Sequence, residues 1–247
     1  MQQTDIMRGF TRDSVDVRAS ALISGVYVQM TAGILLTALV AYALIITGLI
    51  NVLVFEGGSA AMWGVIILQF GTVMMFGPMA RSQSAGKLKA LFFFYAAITG
   101  ITVGFVSLAY TMNSILNVFF AASMAFSGLA MFGHVTKRNL GMVGTFCLQA
   151  LWMVIGMSLL QAVASYFPSA SSFIPALNTM TGLLGIVVFS GLTAYESQAV
   201  RKSAYSLADR GALETQVSIY TTSSALTMYL NFVNLFFSLL RLSGSRR

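Results

Sequence analysis

From Thr215 to Leu240 the chain reads TQVSIYTTSSALTMYLNFVNLFFSLL without a single charge, and RLSGSRR follows. A helix needs about 20 residues to cross the hydrocarbon core of a bilayer, and this stretch has them. It is nevertheless rich in polar groups: Thr221, Thr222, Ser223, Ser224, Thr227, Tyr229, Asn231 and Asn234. Hydroxyls and carboxamides are poorly placed against lipid tails and well placed against other helices. Asn231 and Asn234, three apart, fall on neighbouring points of one helical face. The stretch therefore predicts a central membrane helix surrounded by others.

The rest of the chain supplies them. Of its 247 residues 57% are hydrophobic and 9% charged, far fewer charges than the quarter or so that a water-soluble domain carries. This is the composition of an all-α integral membrane protein. The net charge of +7 does not point to nucleic acid, because the basic residues sit in short segments between apolar runs, where they orient the chain in the bilayer. One cysteine, Cys147, excludes an intrachain disulfide and a cysteine metal cluster. The first apolar run starts after Arg18 and is too long for a signal peptide, so no cleaved leader is expected.

Seven spans are predicted: about Ala21 to Leu53, Ala60 to Met79, Leu88 to Tyr110, Ile115 to His134, Leu140 to Ala164, Ala176 to Tyr195, and Thr215 to Leu240. Residues 1–20 read as a cytoplasmic tail or surface helix, and residues 21–247 as a single transmembrane domain. Gly57 and Gly58 mark the first turn, and a link around Asn113 and Ser114 the third. The uncharged loop SYFPSASSFIP follows the fifth span. After Tyr195, the segment ESQAVRKSAYSLADRGALETQ suits a helical extension that breaks at Gly211. Gly100 and Gly104 leave a flat strip for a close helix neighbour. Ala121, Ala125, Ser127 and Gly128 suggest another tightly packed surface. FSGLAMFG (Phe126–Gly133) resembles FSGLTAYE (Phe189–Glu196), a pattern that fits either a remnant repeat or chance.

With the amino terminus inside, the inner segments hold Arg8, Arg12, Arg18, Arg81, Lys87, Lys89, Lys137, Arg138, Arg201, Lys202 and Arg210. The outer side keeps Arg241, Arg246 and Arg247, so the count is eleven against three. The positive-inside rule then predicts a cytoplasmic amino terminus and an external carboxyl terminus.

Glu196 is the acidic residue attached to the inner end of a span. It reads either as an interfacial carboxylate or, with Asn231 donating to it from an antiparallel neighbour, as a gate or cation-binding element. Gln69, Gln149, Asn117, Asn231 and Asn234 read as interhelical hydrogen-bonding groups. Arg241 reads as an interface anchor, and His134 as a boundary residue. Enzyme machinery is missing: there is no phosphate-binding glycine loop, no HExxH, one histidine, and no Asp within a span. No catalysis, cofactor or tightly bound metal is expected.

Three segments, GLTAYESQ (Gly191–Gln198), ALTMYLNFVNLFFSLLRLSGSRR (from Ala225) and TKRNL (Thr136–Leu140), resemble the Bax inhibitor family, also called the transmembrane Bax inhibitor motif family. The resemblance implies seven helices around a central last one, a bacterial inner-membrane location, and a calcium leak governed by pH. In bacterial relatives a proton-sharing pair of aspartates forms the gate, at positions matching Glu196 and Asn231. An acid of the ion path matches Gln69, and a basic residue that locks the closed form matches Arg81 or Arg8. An amide beside Glu196 does not repel it as a second carboxylate would, so the paired-acid sensor is blunted here, displaced to Glu196 alone, or absent. The sequence reading is a calcium leak, with ion path or gate at Glu196, Asn231, Gln69 and Asn234. Its rivals are a non-conducting regulatory protein that binds other membrane proteins or proteases, and a small-molecule or proton-coupled transporter.

Overall fold

A computed structural model describes residues 2–167 and 172–245, with side chains from Asp13 onward. Pro168 in the loop after the fifth span, Arg246, Arg247 and the side chain of Arg8 lie outside the described residues. The chain is all-α: α1 (Gln2–Ile46), α2 (Leu49–Phe55), α3 (Gly58–Arg81), α4 (Ala85–Ala109), α5 (Met112–Val135), α6 (Gly141–Ala164), α7 (Ile174–Asp209) and α8 (Glu214–Ser243). Among the described residues, all of these except the short, seven-residue α2 are long and apolar enough to cross a membrane, so the protein is polytopic with seven spans. Its surface agrees: Phe55, Met124, Met142 and Trp152 are exposed, an arrangement suited to lipid rather than water.

Several boundaries differ from expectation. The first span ends at Ile46, not near Leu53, because Gly48 takes a left-handed φ of 71° that stops the helix before α2 restarts it. Residues 2–20 continue α1 without a break. The third turn falls at Tyr110 and Thr111, one turn earlier than expected: Thr111 caps α5 by accepting from the Ser114 amide at 3.3 Å, which puts Asn113 and Ser114 inside the helix. The helical extension after Tyr195 runs to Asp209 and breaks at Gly211, whose φ is 62°, as its composition suggested.

Two compact units can be described separately. The first comprises the chain to Leu108 with Val200–Tyr229, the second Ala109–Ala199 with the chain from Leu230. In the first, α1 and the front half of α8 run parallel: Gly25 meets Thr221, Gln29 Oε1 accepts from Thr222 at 3.3 Å, and Gly33 meets Tyr229. The GxxxG strip works as predicted, since a β-carbon at Gly100 would strike the Thr37 carbonyl and Val40, and one at Gly104 would touch Ile50 of α2.

In the second unit, α5 packs through Ile115, Val118, Ala122, Phe126, Ala130 and Gly133. Ala121, Ala125, Ser127 and Gly128, expected to form a packed surface, are instead exposed. Small size permits close packing without requiring it. The face is selected by the rings of Phe126 and Phe119, which stack edge-on against Phe232 at centroid distances of 5.6 and 5.7 Å. Asn117 and Gln149, expected to bond between helices, are exposed as well.

No residue from Val217 to Leu242 is exposed, and α8 is the most buried of the spans, as expected for a helix enclosed by others. This is why its hydroxyls and amides are tolerated: Thr227, Asn234 and Ser238 turn their side chains back onto carbonyls one turn earlier.

Candidate functional site

Within the second unit, α7 and the back half of α8 lie antiparallel and very close. A β-carbon at Gly185 would overlap the Ser238 hydroxyl, and one at Gly182 would stand 3.0 Å from Leu242. Asn231 lies two and three turns from Ser238 and Leu242 along that same stripe, so its side chain is directed at α7. Glu196 continues the stripe of Gly182, Gly185 and Phe189, so it is directed at α8. Carrying the register forward sets Asn231 level with Leu192 and Thr193, about one turn, or roughly 5 Å, from Glu196 along the axis.

That offset decides the outcome for the expected hydrogen bond. Asn231 is 5% exposed and faces protein. Its Nδ2, however, is buried without a partner, and the bond to the end of the sixth span is not made. Glu196 is half-buried and, among the described residues, engages in no hydrogen bond or ion pair. A buried amide donor without a partner and a half-buried carboxylate thus occupy facing stripes of one helix pair. Buried polar groups without partners cost free energy and are exceptions that call for a reason.

The backbone carrying Glu196 is held from three sides. A β-carbon at Gly133 of α5 would collide with the Ala194 carbonyl, and the Ser197 hydroxyl donates to the Ala130 carbonyl at 2.6 Å. On the α6 side, Gly191 packs on Cys147 and Gly144 on the ring of Tyr195. Gln198 spans the connection between α5 and α6: its Oε1 accepts from the Leu140 amide at 3.0 Å and its Nε2 donates to the Arg138 carbonyl at 2.8 Å. Ser197 and Gln198 were not singled out from the sequence. The signal available was their place directly after Glu196 in GLTAYESQ, and the Gln198 bonds explain why that segment and TKRNL go together.

The remaining candidates divide between the units. Asn234, also in the second, donates to the Leu230 carbonyl at 2.8 Å and is satisfied within its own helix. Gln69 is in the first, where its amide bridges α3 to α4: Nε2 donates to Thr99 and Oε1 accepts from Thr102, each at 3.2 Å. Arg81 ends α3 and is exposed. Arg241, expected as an interface anchor, has one guanidinium nitrogen buried without a partner. No cluster of three or more His, Cys, Asp or Glu suited to a metal occurs among the described residues.

Comparison with known proteins agrees with this architecture. The family model described as "Inhibitor of apoptosis-promoting Bax1" matches residues 19–247. The chain is 34% identical over 222 residues to the inner membrane protein YbhL of Escherichia coli (strain K12), covering 90% of each chain. It is 32% identical over 225 residues to an uncharacterized protein of Borreliella burgdorferi, covering 91% of this chain and 92% of the other. A Caulobacter vibrioides protein is 31% identical over 262 residues, covering 98% and 99%.

Proposed function

Because the chain belongs to the Bax inhibitor family, we propose that it is a cation leak of the bacterial inner membrane, with calcium as the ion carried and Glu196 as the acidic element the ion meets. The amino terminus with residues 1–20 is cytoplasmic, the remainder forms the transmembrane domain, and the carboxyl terminus is external. No catalytic step or resident cofactor belongs to this reading.

The observation that supports it best is the buried, unpartnered amide of Asn231 on the same α7–α8 stripe as the half-buried Glu196. A carboxylate with no cation of its own attracts one from solution, and the neighbouring Asn231 can present its carbonyl oxygen as a neutral ligand. Calcium takes six to eight oxygen ligands. One carboxylate and one amide, completed by water, form a weak station, which suits passage rather than storage. Gln69 and Asn234 already spend their amides inside the protein and act as packing groups. Arg81 and Arg8 remain the basic candidates for holding a closed state.

A second reading, a non-conducting regulator that acts on other membrane proteins, draws on the same place: where relatives by resemblance pair two acids, this chain has one carboxylate and an amide. Calcium uptake by vesicles containing the purified protein alone separates the two. A leak gives uptake above protein-free vesicles, and Glu196→Gln lowers it; uptake no faster than the protein-free control leaves the regulatory reading.

A further inference from the structure

In the first unit, α1 and α8 run parallel, and two of the α1 glycines meet α8 at the same offset. Gly25 meets Thr221, and Gly33 meets Tyr229. The same offset of 196 residues places Arg18 level with Glu214. Toward that end the helices part, and a cavity of about 690 Å³ opens between them and the turn through Gly211. Arg18 and Leu22 line it from α1, and Glu214, Val217, Ser218 and Thr221 from α8. Each set follows the three-to-four-residue spacing of a single helical stripe. The contact of Gly25 with Thr221 closes the deep end.

Two features identify what fits. Arg18 and Glu214 oppose one another across the mouth, yet no ion pair joins them among the described residues, so each charge is left for an occupant. They are also the last charges before the uncharged runs that begin at Ala19 and Thr215, which puts the mouth at the level of lipid headgroups and the wall below it at the level of the upper acyl chains. We propose that this cleft binds one phospholipid with a zwitterionic, amine-bearing headgroup, of the phosphatidylethanolamine type. Its phosphate pairs with Arg18, its ammonium with Glu214, and its glycerol and first methylenes lie on Leu22 and Val217, with the Ser218 hydroxyl in reach of the ester oxygens. The guanidinium offers a fork that matches phosphate, and the carboxylate accepts hydrogen bonds from a primary ammonium. An anionic headgroup satisfies Arg18 and is repelled by Glu214. A choline headgroup has no N–H to give Glu214. The assignment is independent of whether the protein conducts calcium.

The test is native mass spectrometry of the full-length protein released from nanodiscs of equal parts phosphatidylethanolamine, phosphatidylglycerol and phosphatidylcholine. The parent should retain one phosphatidylethanolamine per chain, about tenfold over either competitor, the scale set by one charge-assisted hydrogen bond. Arg18→Gln and Glu214→Gln should each abolish the preference, and Val217→Trp should block retention by filling the cleft. All three residues lie at or near the surface, and Arg81→Gln, an exposed charge at another helix end, should retain the lipid as the parent does. Equal retention of the three lipids, a preference for phosphatidylglycerol, or a loss in Arg81→Gln as large as in Arg18→Gln would overturn the assignment.

Discussion

The Tyr229 hydroxyl lies 2.6 Å from Thr37 Oγ1, and both side chains are buried. Thr37 has one proton, and the Ala96 carbonyl at 2.8 Å and the Gly33 carbonyl at 3.0 Å accept it, so the tyrosine is the donor in the pair. One hydroxyl thereby ties α1 to α4 and α8, with Phe92 and Tyr95 stacked edge-on around the Tyr229 ring.

Tyr229→Phe keeps the ring contacts and removes the donor. Interhelical hydrogen bonds in membranes contribute about 0.6 to 1.7 kcal/mol. The variant should lose stability of that order in denaturant titrations in bicelles. A variant as stable as the parent would assign the whole contribution to ring packing.

Gly133 faces backbone, which cannot move aside as a flexible side chain can. Gly133→Ala should cost about 1 to 3 kcal/mol, the usual range for overpacking, by driving α5 from the Ala194 carbonyl. Gly64, within helix α3 and with nothing within 4 Å of its β-carbon position, supplies the contrast: Gly64→Ala should be neutral or slightly stabilising. Equal thermal midpoints for the two variants would contradict the close α5–α7 approach.

Gln69→Leu removes both bonds between α3 and α4 while roughly keeping the volume. A loss of about 1 to 2 kcal/mol is expected. If Gln69 acts as a packing group, vesicle calcium uptake per folded protein should stay at the parent level. A large change in uptake without a change in stability would return Gln69 to the ion path.

Asn231→Asp places a second carboxylate about one turn from Glu196. Two such groups repel when both are ionised, so protons are taken up as pH falls and the pair becomes a switch. Calcium uptake by this variant should depend on pH between roughly 5 and 8 more steeply than in the parent, whereas Glu196→Gln should remove any pH dependence that belongs to Glu196. Superimposable uptake curves for parent and both variants would leave helix packing as the role of these residues.

Topology can be read directly. A reporter fused ahead of Met1 should be cytoplasmic and one fused after Arg247 external, given seven spans and the basic-residue count. Two reporters on the same side would require an even number of crossings.

The seven spans, the polar character of the last one and the break at Gly211 were legible in the sequence because partition into a bilayer depends on each residue's own chemistry, summed over a window of neighbours. The motif segments also pointed correctly to the family. Which face of a helix meets another was legible at the Gly100–Gly104 strip but not on α5. Ala121, Ala125 and Gly128 looked like a packing surface, yet the rings of Phe119 and Phe126 turned α5 the other way. Glu196 and Asn231 were identifiable as a candidate pair, but the glycine contacts at Gly182 and Gly185 set their register and left them about a turn apart, with the Asn231 amide unpartnered. The Gln198 clamp on Arg138 and Leu140, and the placement of Arg18 and Glu214 at one cleft, bring together residues some 60 and nearly 200 positions apart. Such relations arise from close contact between helices distant in the chain, and only the tertiary structure decides them.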